Sequence, residues 1–334
     1  MRRLFTGGKL VTAGLVLLVI VVALWALPSN RYIFLPDRAR PVSPLVRVAG
    51  HLRQTGPGHI YFVDVVVRKA SLLERLFGGL HEGADLVPKS DVVEPGLTGQ
   101  EQQAVDVADM RRSQQVAAAV AERALGRKVT TTPTGVLVLS TEPGFPADGP
   151  LQPEDVIVAV NGKTVRSPTE LAGVMRKVRI GQEVRFTIQR GHIEKVVAMR
   201  TVAASKGSRR AVVGVLPGQA VDIHVPIKVS IDSSGVVGPS AGLAFALDLL
   251  EQLGRNVAHG HRIAATGEMF LNGDVGPIGG IKQKTYGARQ AGVDAFLVPA
   301  GQNARDARKY AHGLRIIPVK SFQQALRALA TLRR

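Results

Sequence analysis

The chain has 334 residues, 45% hydrophobic and 21% charged, a balance typical of proteins that fold around apolar cores. The absence of cysteine excludes disulfides, thiolate metal sites and a cysteine nucleophile. The eight histidines form no HExxH or comparable cluster and no P-loop is present, so the sequence predicts neither a metal nor a cofactor. The net charge of +17 would suit nucleic acid. Because the basic residues are scattered and only 4% of residues are aromatic, we expect no nucleic-acid partner.

A long uncharged stretch lies near the N-terminus. Residues 10–27 (LVTAGLVLLVIVVALWAL) would extend about 27 Å as a helix, enough to cross the hydrocarbon core of a membrane. Trp25 suits the membrane interface, and the exit lacks the small residues of a signal-peptidase site. We therefore predict an uncleaved single-pass transmembrane signal anchor in the cell membrane, with residues 1–9 cytoplasmic and the bulk of the chain extracytoplasmic. Basic residues flank both ends, so charge alone leaves the orientation open.

The next hundred residues mix irregular and regular segments. Four prolines and few apolar clusters in residues 28–47 predict a spacer. Residues 59–68 (HIYFVDVVVR) are rich in β-branched and aromatic side chains and predict a strand. We expect a loop over residues 84–108. A helix follows over residues 109–125 (DMRRSQQVAAAVAERAL), and Gly126 ends it.

Residues 129–206 combine short strands with one helix, which suggests a small β-barrel module. An Asn161-Gly162 turn predicts a hairpin, and a helix with proline at its first position is predicted from Pro168 to Lys177. The strands are predicted over 136–140, 156–160, 184–189 and 195–200. The stretch resembles PDZ domains of the type attached to envelope proteases, on residues 143–147 (PGFPA), 151–157 (LQPEDVI) and 160–162 (VNG).

The PDZ resemblance implies a peptide-binding groove. In that family a peptide C-terminus joins a core strand while a backbone loop binds its carboxylate. The loop residues here would be Thr134, Gly135, Val136 and Leu137. The predicted helix would form the other wall, with Leu171 and Met175 as lining residues, although ordinary core packing is an equally good interpretation of both.

Three short segments after residue 210 carry the candidate chemistry. Residues 238–242 (GPSAG) place Ser240 in a tight turn before an apolar helix over 243–253, where backbone N–H groups could stabilise an oxyanion. Taken alone, a serine in this position is more often a helix N-cap. Residues 265–268 read ATGE, and residues 276–284 read GPIGGIKQK. A buried lysine can lose its proton near neutral pH and act as a base, whereas a lysine on a solvated helix face cannot.

Together these segments resemble the proteolytic domain of the Lon family. The resemblance implies a Ser–Lys dyad in which Ser240 is the nucleophile and Lys284, rather than Lys282, is the general base. It also implies that Thr266 orients the lysine. The family has an acidic residue two positions before the proline, where this chain has Val237, so we expect a more apolar pocket.

The resemblance extends to residues 110–118, 221–225 and 295–299, similar to the family's early helix and two of its strands. The protease domain would then comprise residues 48–128 and 207–334, with the PDZ module at 129–206 inserted between them. The predicted fold is an α/β (α+β) Lon-type proteolytic domain with an inserted PDZ β-barrel module, preceded by one transmembrane helix. This layout is similar to that of PDZ-containing Lon-like membrane proteins of bacteria.

The predicted function is that of a membrane-anchored serine endopeptidase whose PDZ domain recruits or gates protein substrates. Because the sequence shows no ATPase module, cleavage is expected to be independent of ATP. The resemblance also implies a ring-like homo-oligomer, with a hexamer as the expected form. The alternative is a catalytically inactive PDZ adaptor or scaffold at the membrane.

Overall fold

The computed structural model describes residues 4–49, 59–78, 80–93, 99–191, 193–227, 229–232 and 238–332. The α-helices in these ranges are α1 Leu4–Ala26, α2 Leu72–Leu76, α3 Gly99–Ala124, α4 Pro168–Met175, α5 Gly242–Gln252, α6 Ile281–Ala291, α7 Gln302–Lys309 and α8 Phe322–Ala330. The first strands are β1 Pro28–Pro36, β2 Arg40–Pro41, β3 Val46–Val48, β4 His59–Phe62, β5 Val65–Ser71, β6 Asp85–Pro88, β7 Thr130–Thr141, β8 Val156–Val160, β9 Lys163–Thr164 and β10 Glu183–Arg190. The remaining strands are β11 Ile193–Arg200, β12 Val202–Ala203, β13 Ala211–Val212, β14 Val215–His224, β15 Val229–Ile231, β16 Arg262–Ala265, β17 Glu268–Met269, β18 Val275–Gly276, β19 Ala295–Pro299 and β20 Arg315–Val319.

The segment at residues 10–27, where the sequence predicts a transmembrane anchor, lies largely within α1. Among the residues that the structure describes, no helix combines the length and the apolar character needed to cross a membrane.

The segment at residues 28–47 contains strands, whereas its prolines predicted a spacer. β1 pairs antiparallel with β5 on one side and with β6 on the other, and Ile33 in its centre is buried. Pro28 and Pro36 stand at the two ends of β1, where a missing N–H group costs least. The prolines therefore delimit a strand instead of marking a loose linker.

A five-stranded sheet forms the centre of the larger unit. Its order is β2-β4-β16-β19-β20; the last four strands run parallel and β2 pairs antiparallel with β4. Because strand side chains alternate between faces, Ile60 and Phe62 of β4 join the core under α3, α5 and α8. Tyr61 and Val63 join a second core under α6 and α7. β4 precedes residues 129–206 and β16 follows them, so the sheet is built from both sides of that stretch.

Helix α3 begins at Gly99, ten residues before the predicted start at Asp109, and it occupies part of the stretch predicted as a loop. Residues 99–108 (GQEQQAVDVA) contain no proline and are mostly good helix formers, so nothing interrupts the helix there. Val116, Ala117 and Val120 lie on its buried face against the main core. The predicted strand over residues 59–68 is likewise two strands, β4 and β5, separated at Val63 and Asp64.

The stretch between the two parts of the main sheet forms a separate sheet and core. Its strands run in the order β11-β10-β8-β7-β14, with β9 paired to β8. The predicted Asn161-Gly162 turn is confirmed, with positive φ angles of 50° and 77°. Helix α4 begins after an N-cap at Ser167, as its Ser-Pro start predicts. The predicted strands correspond to β7, β8, β10 and β11.

Candidate active site

Ser240 lies in a short 3-10 helix, Pro239–Ala241, that leads directly into α5. Gly238 before it has a φ of +83°, a backbone conformation that favours glycine. Helix α3 fixes the loop from the side: the Ser113 hydroxyl donates to the carbonyl of Pro239 at 3.0 Å, and the Gly238 N–H donates to the carbonyl of Asp106 at 3.3 Å. Ser240 is therefore held at the N-terminus of a buried helical run, where the helix dipole favours negative charge.

Lys284 and Ser240 are in direct contact. Lys284 Nζ donates a hydrogen bond to Ser240 Oγ over 2.6 Å. Lys284 lies on α6 and its residue is only 3% exposed. Burial disfavours the ammonium form and lowers the pKa of Lys284 to about 8. The lysine can therefore exist as a neutral amine close to neutral pH, as a general base for a serine requires.

Asp64 is a charged neighbour of Lys284 that the sequence analysis did not identify. It follows β4, and its Oδ1 accepts the N–H of Val65 at 2.8 Å. The negative charge of Asp64 raises the pKa of Lys284 and so opposes the effect of burial. Burial in turn raises the pKa of Asp64. A lone carboxylate two residues after the end of an apolar strand was the only signal for it in the sequence.

Thr266 contacts the nucleophile loop instead of the lysine. Its fully buried hydroxyl donates to the carbonyl of Ser240 at 3.1 Å, and the Gly267 N–H donates to the same carbonyl at 2.8 Å. The family resemblance implied that Thr266 orients Lys284, but the structure gives it no hydrogen bond to that residue. Its hydroxyl is instead used to hold the backbone of Ser240.

In the glycine-rich turn before α6, the position of Gly280 leaves no room for a side chain. This residue is in the left-handed region with φ +66°, and a Cβ there would lie 2.7 Å from Cγ2 of Val65. One helical turn later, the N–H of Lys284 donates to the carbonyl of Gly280 at 3.0 Å. The close approach of Gly280 to Val65 therefore brings the start of α6 next to Asp64.

The two lysines of the GGIKQK segment have different environments. Lys282 Nζ contacts Asp85 Oδ1 at 2.7 Å and donates to the carbonyl of Ala84 at 3.1 Å. It is thus ion-paired on the outer side of α6, whereas Lys284 points to Ser240. Two positions apart on a helix, the side chains face different directions.

Several carboxylates lie close together where α3 meets the unit that contains β7 and β8. Burial, together with the charges of Glu154, Asp106 and Glu268, raises the pKa of Asp109 to about 7. Arg112 on α3 forms an ion pair with Glu154 at 3.4 Å. Glu154 belongs to the unit that contains β7 and β8, so this pair connects the two units.

The six predicted groove residues fall into two sets. Leu171 and Met175 of α4 line a cavity of about 970 Å³ and also pack on the local core, so both interpretations of them apply. The predicted loop residues lie inside β7, and their edges face β8 and β14. They are Thr134, Gly135, Val136 and Leu137. Within the described ranges, no three histidine or carboxylate side chains are grouped closely enough to hold a metal. Val237, which the sequence predicted to make the pocket of the lysine more apolar, lies outside the described ranges.

Comparison with family models confirms both resemblances. The Lon protease (S16) C-terminal proteolytic domain matches residues 178–331, and the PDZ domain matches residues 123–224. The chain carries a Lon-type serine peptidase domain. Ser240, Thr266 and Lys284 all lie within the residues matched to the Lon-type domain.

Curated relatives are Lon proteases of bacteria. The chain is 29% identical over 178 residues to Lon protease 2 of Bacillus subtilis, covering 52% of this chain and 29% of the relative. It is 39% identical over 115 residues to Lon protease 1 of Myxococcus xanthus, covering 33% and 14%. With Lon protease 1 of Sorangium cellulosum the identity is 47% over 88 residues, covering 25% and 10%. The chain thus spans less than a third of the length of these relatives.

Two of the solved structures similar to part of the chain are PDZ domains. The PDZ domain of the SdrC-like protein from Listeria monocytogenes covers 26% of this chain and 90% of its own, with 22% identity and a TM-score of 0.25. That of the SdrC-like protein from Listeria innocua covers 26% and 96%, with 24% identity and a TM-score of 0.24.

Proposed function

We propose that this chain is an endopeptidase that cleaves protein substrates with Ser240 as the nucleophile and Lys284 as the general base. The observation that carries this proposal is the 2.6 Å hydrogen bond between Lys284 Nζ and Ser240 Oγ, made by a buried lysine whose pKa is lowered to about 8. A serine hydroxyl is a weak nucleophile, and a neutral amine in contact with it can accept its proton.

The reaction follows from this contact. Neutral Lys284 takes the hydroxyl proton as Ser240 Oγ attacks the scissile carbonyl, which forms a tetrahedral oxyanion. Backbone N–H groups at the start of the helical run stabilise the negative charge. The Lys284 ammonium then protonates the leaving amine, the C–N bond breaks, and an acyl-enzyme ester remains on Ser240. Water hydrolyses the ester with Lys284 again as base.

The experiment uses the full chain and an unfolded protein such as casein, with and without ATP. The proposal predicts cleavage by the wild type at the same rate in both conditions and no cleavage by Ser240→Ala. Cleavage by Ser240→Ala at the wild-type rate would exclude the dyad. A wild type that cleaves nothing would favour the inactive adaptor.

We further propose, from the sequence, that residues 10–27 anchor the chain in the cell membrane, with the bulk of the chain extracytoplasmic. The support is the uncharged sequence of residues 10–27 and the exposure of its apolar side chains, which is 49–66% from Leu15 to Ile20. Membrane flotation of the full chain tests the anchor. Leu17→Arg should move the protein to the soluble fraction, and Val196→Arg, at an exposed apolar position far along the chain, should not. Flotation unaffected by Leu17→Arg would exclude the anchor.

The PDZ domain is proposed to recruit or gate substrates, and the assembly is proposed to be a ring-like homo-oligomer. Sedimentation of the detergent-solubilised full chain tests the oligomer, for which a hexamer is the expected form. A monomer at the concentration at which casein is cleaved would exclude a ring as the active form.

A further inference from the structure

Three large apolar side chains are exposed on the short segment that follows β5. Residues 72–80 read LLERLFGGL, and Leu76, Phe77 and Leu80 are 64%, 59% and 47% exposed. Single exposed apolar residues are common on protein surfaces, whereas a local group of large ones marks a surface that contacts a partner or a membrane. We call Leu76, Phe77 and Leu80 the apolar tip.

The segment that carries the apolar tip is attached to the end of α1. β5 ends beside the start of β1, the strand that follows α1. The N–H of Leu72 donates to the carbonyl of Leu27 at 2.9 Å. At the other end of the segment, the ring of His81 lies 6.3 Å from the ring of Trp25. Residues 72–81 therefore begin and end beside the residues at which the proposed anchor, residues 10–27, would leave the membrane.

The one acidic residue in the sequence of residues 72–80 is turned inward and neutralised. Glu74 is 1% exposed, and its carboxylate accepts the N–H of Ser71 at 2.8 Å and both terminal nitrogens of Arg68 at 2.9 and 2.5 Å. Its Oε1 lies 2.8 Å from Nε2 of His81. The hydrogen bonds from Arg68 lower the pKa of Glu74 to about 2, so the carboxylate is ionised and paired at neutral pH. The acidic side chain thus fixes the segment without placing a negative charge on its exposed side.

The surface beside the apolar tip is mainly basic. Arg31 near the start of β1, Lys69 near the end of β5, Arg75 of α2 and Lys89 after β6 have exposed side chains, and Asp91 is an exposed acidic residue at the same end of this sheet. Basic side chains that flank exposed apolar ones are typical of surfaces that lie on membranes with anionic lipids, because the headgroups attract the cations.

We infer that the apolar tip inserts into the headgroup region of the membrane as a second contact beside the anchor. This inference rests on the proposed anchor at residues 10–27. Surfaces of this kind lie about 5–10 Å deep, at the boundary between headgroups and acyl chains. Two neighbouring contacts restrict how the rest of the chain can tilt over the bilayer, which a single anchor does not do.

The position of the tip bears on the candidate active site. Asp64, the charged neighbour of Lys284, precedes β5, and Ser71 at the other end of β5 directly precedes the segment with the tip. The two residues are seven positions apart, so they are at most about 25 Å apart. Insertion of the tip would therefore hold the candidate active site within a short, fixed distance of the lipid surface.

The test places an environment-sensitive fluorophore on the apolar tip. The natural chain has no cysteine, so Phe77→Cys provides a unique attachment site in the full chain. The labelled protein is reconstituted into vesicles of phosphatidylcholine and phosphatidylglycerol, with and without a lipid that carries a spin label near the headgroup end of its acyl chain. The spin-labelled lipid should quench about half or more of the fluorescence of this label, because the tip lies at that depth.

Two further labelled variants separate the inference from the anchor on which it rests. Leu17→Cys, in the middle of residues 10–27, reports the anchor through a lipid that is spin-labelled near the end of its acyl chain. Val196→Cys, at a 65% exposed position on β11, should show no quenching by either lipid. Quenching of the Leu17→Cys label without quenching of the Phe77→Cys label would overturn the inference and leave the anchor in place. Quenching of the Phe77→Cys label alone would support the tip and contradict the anchor, and quenching of neither would contradict both.

A charge substitution tests whether the apolar side chains hold the tip in lipid. Leu80→Glu, added to the labelled Phe77→Cys protein, should reduce quenching by at least about twofold, since a carboxylate is costly at that depth. The matched control is Ile193→Glu on β11, where the side chain is 46% exposed, and it should leave quenching unchanged. Equal quenching in these two variants would contradict the inference. So would a Phe77→Cys label that is shielded from water but not quenched by the lipid, because a second copy of the chain would then cover the tip.

Discussion

Lys284 Nζ reaches Ser240 Oγ at 2.6 Å, although the two residues are 44 positions apart. The loop of Ser240 is fixed by α3, and α6 is positioned by the close approach of Gly280 to Val65. The contact therefore depends on segments from both sides of the PDZ domain. Because burial lowers the pKa of the lysine, the amine can be neutral close to neutral pH and can accept the proton of the serine.

The pH dependence of cleavage follows from the lysine. Lys284 acts as a base only when neutral, and its pKa is lowered to about 8. Below this pH the neutral fraction falls tenfold for each pH unit, so kcat/KM should rise with pH at about that slope and level off above about pH 8. Initial rates on a fluorogenic peptide across this range measure the profile. A rate that falls as pH rises from 6 to about 8 would contradict the assignment.

Asp64 should control the midpoint of that profile. Its negative charge raises the pKa of Lys284, so Asp64→Asn should lower that pKa and move the midpoint to a lower pH. Asp85→Asn is the matched control, because Asp85 contacts Lys282. The kcat/KM profiles of both variants provide the comparison. An unchanged or more alkaline midpoint in Asp64→Asn, with Asp85→Asn like the wild type, would show that the Asp64 charge does not act on the base.

Thr266→Val tests which group the threonine supports. The variant removes the hydrogen bond to the carbonyl of Ser240 but no bond to Lys284. We expect kcat to fall by about tenfold while the midpoint of the pH profile stays unchanged. Thr266→Ser keeps the hydroxyl and should restore most of kcat. A shifted midpoint in Thr266→Val would instead support the orientation of Lys284 that the family resemblance implied.

Asp109 should make the folded chain less stable as pH rises. Its pKa is 3.8 in an unfolded chain and is raised to about 7 in the fold. Between these values the folded chain binds more protons than the unfolded chain, so the free energy of unfolding falls with increasing pH. Asp109→Asn should therefore raise the urea midpoint at about pH 8 and have little effect at about pH 4.

The control for Asp109→Asn is Glu194→Gln, at an exposed position on β11. It should leave the urea midpoint unchanged at both pH values. Equal midpoints for Asp109→Asn and the wild type at the higher pH would mean that Asp109 is not destabilising when ionised.

The segments proposed to be catalytic could be recognised from sequence as parts of a Lon-type domain because each is local. Ser240, Thr266 and Lys284 stand in short motifs that carry their own turns, and the comparisons confirm the Lon-type domain to which they belong. Asp64 and Ser113 could not be identified in this way, because they reach the site from distant segments only after the main sheet forms. Local patterns also placed prolines in a spacer where they delimit β1.

The PDZ domain likewise shows that local sequence patterns do not predict contacts between distant segments. The turn and helix of the PDZ domain follow from Asn161-Gly162 and Ser167-Pro168, which act locally. The pairing of β14 with β7 joins residues more than 70 positions apart, and no local pattern specifies that partner. Residues predicted as a carboxylate-binding loop are therefore found inside a paired strand.

We propose that Lys284 in particular activates Ser240, and Lys282 in the same segment provides the control. The most direct measurement compares initial rates of casein cleavage by the wild type, Ser240→Ala, Lys284→Ala and Lys282→Ala. We predict a loss of about 1,000-fold or more for Ser240→Ala and Lys284→Ala, and a rate within about threefold of the wild type for Lys282→Ala, whose ion pair with Asp85 lies outside the site. Wild-type cleavage by Lys284→Ala, or a loss in Lys282→Ala as large as that in Lys284→Ala, would contradict the account.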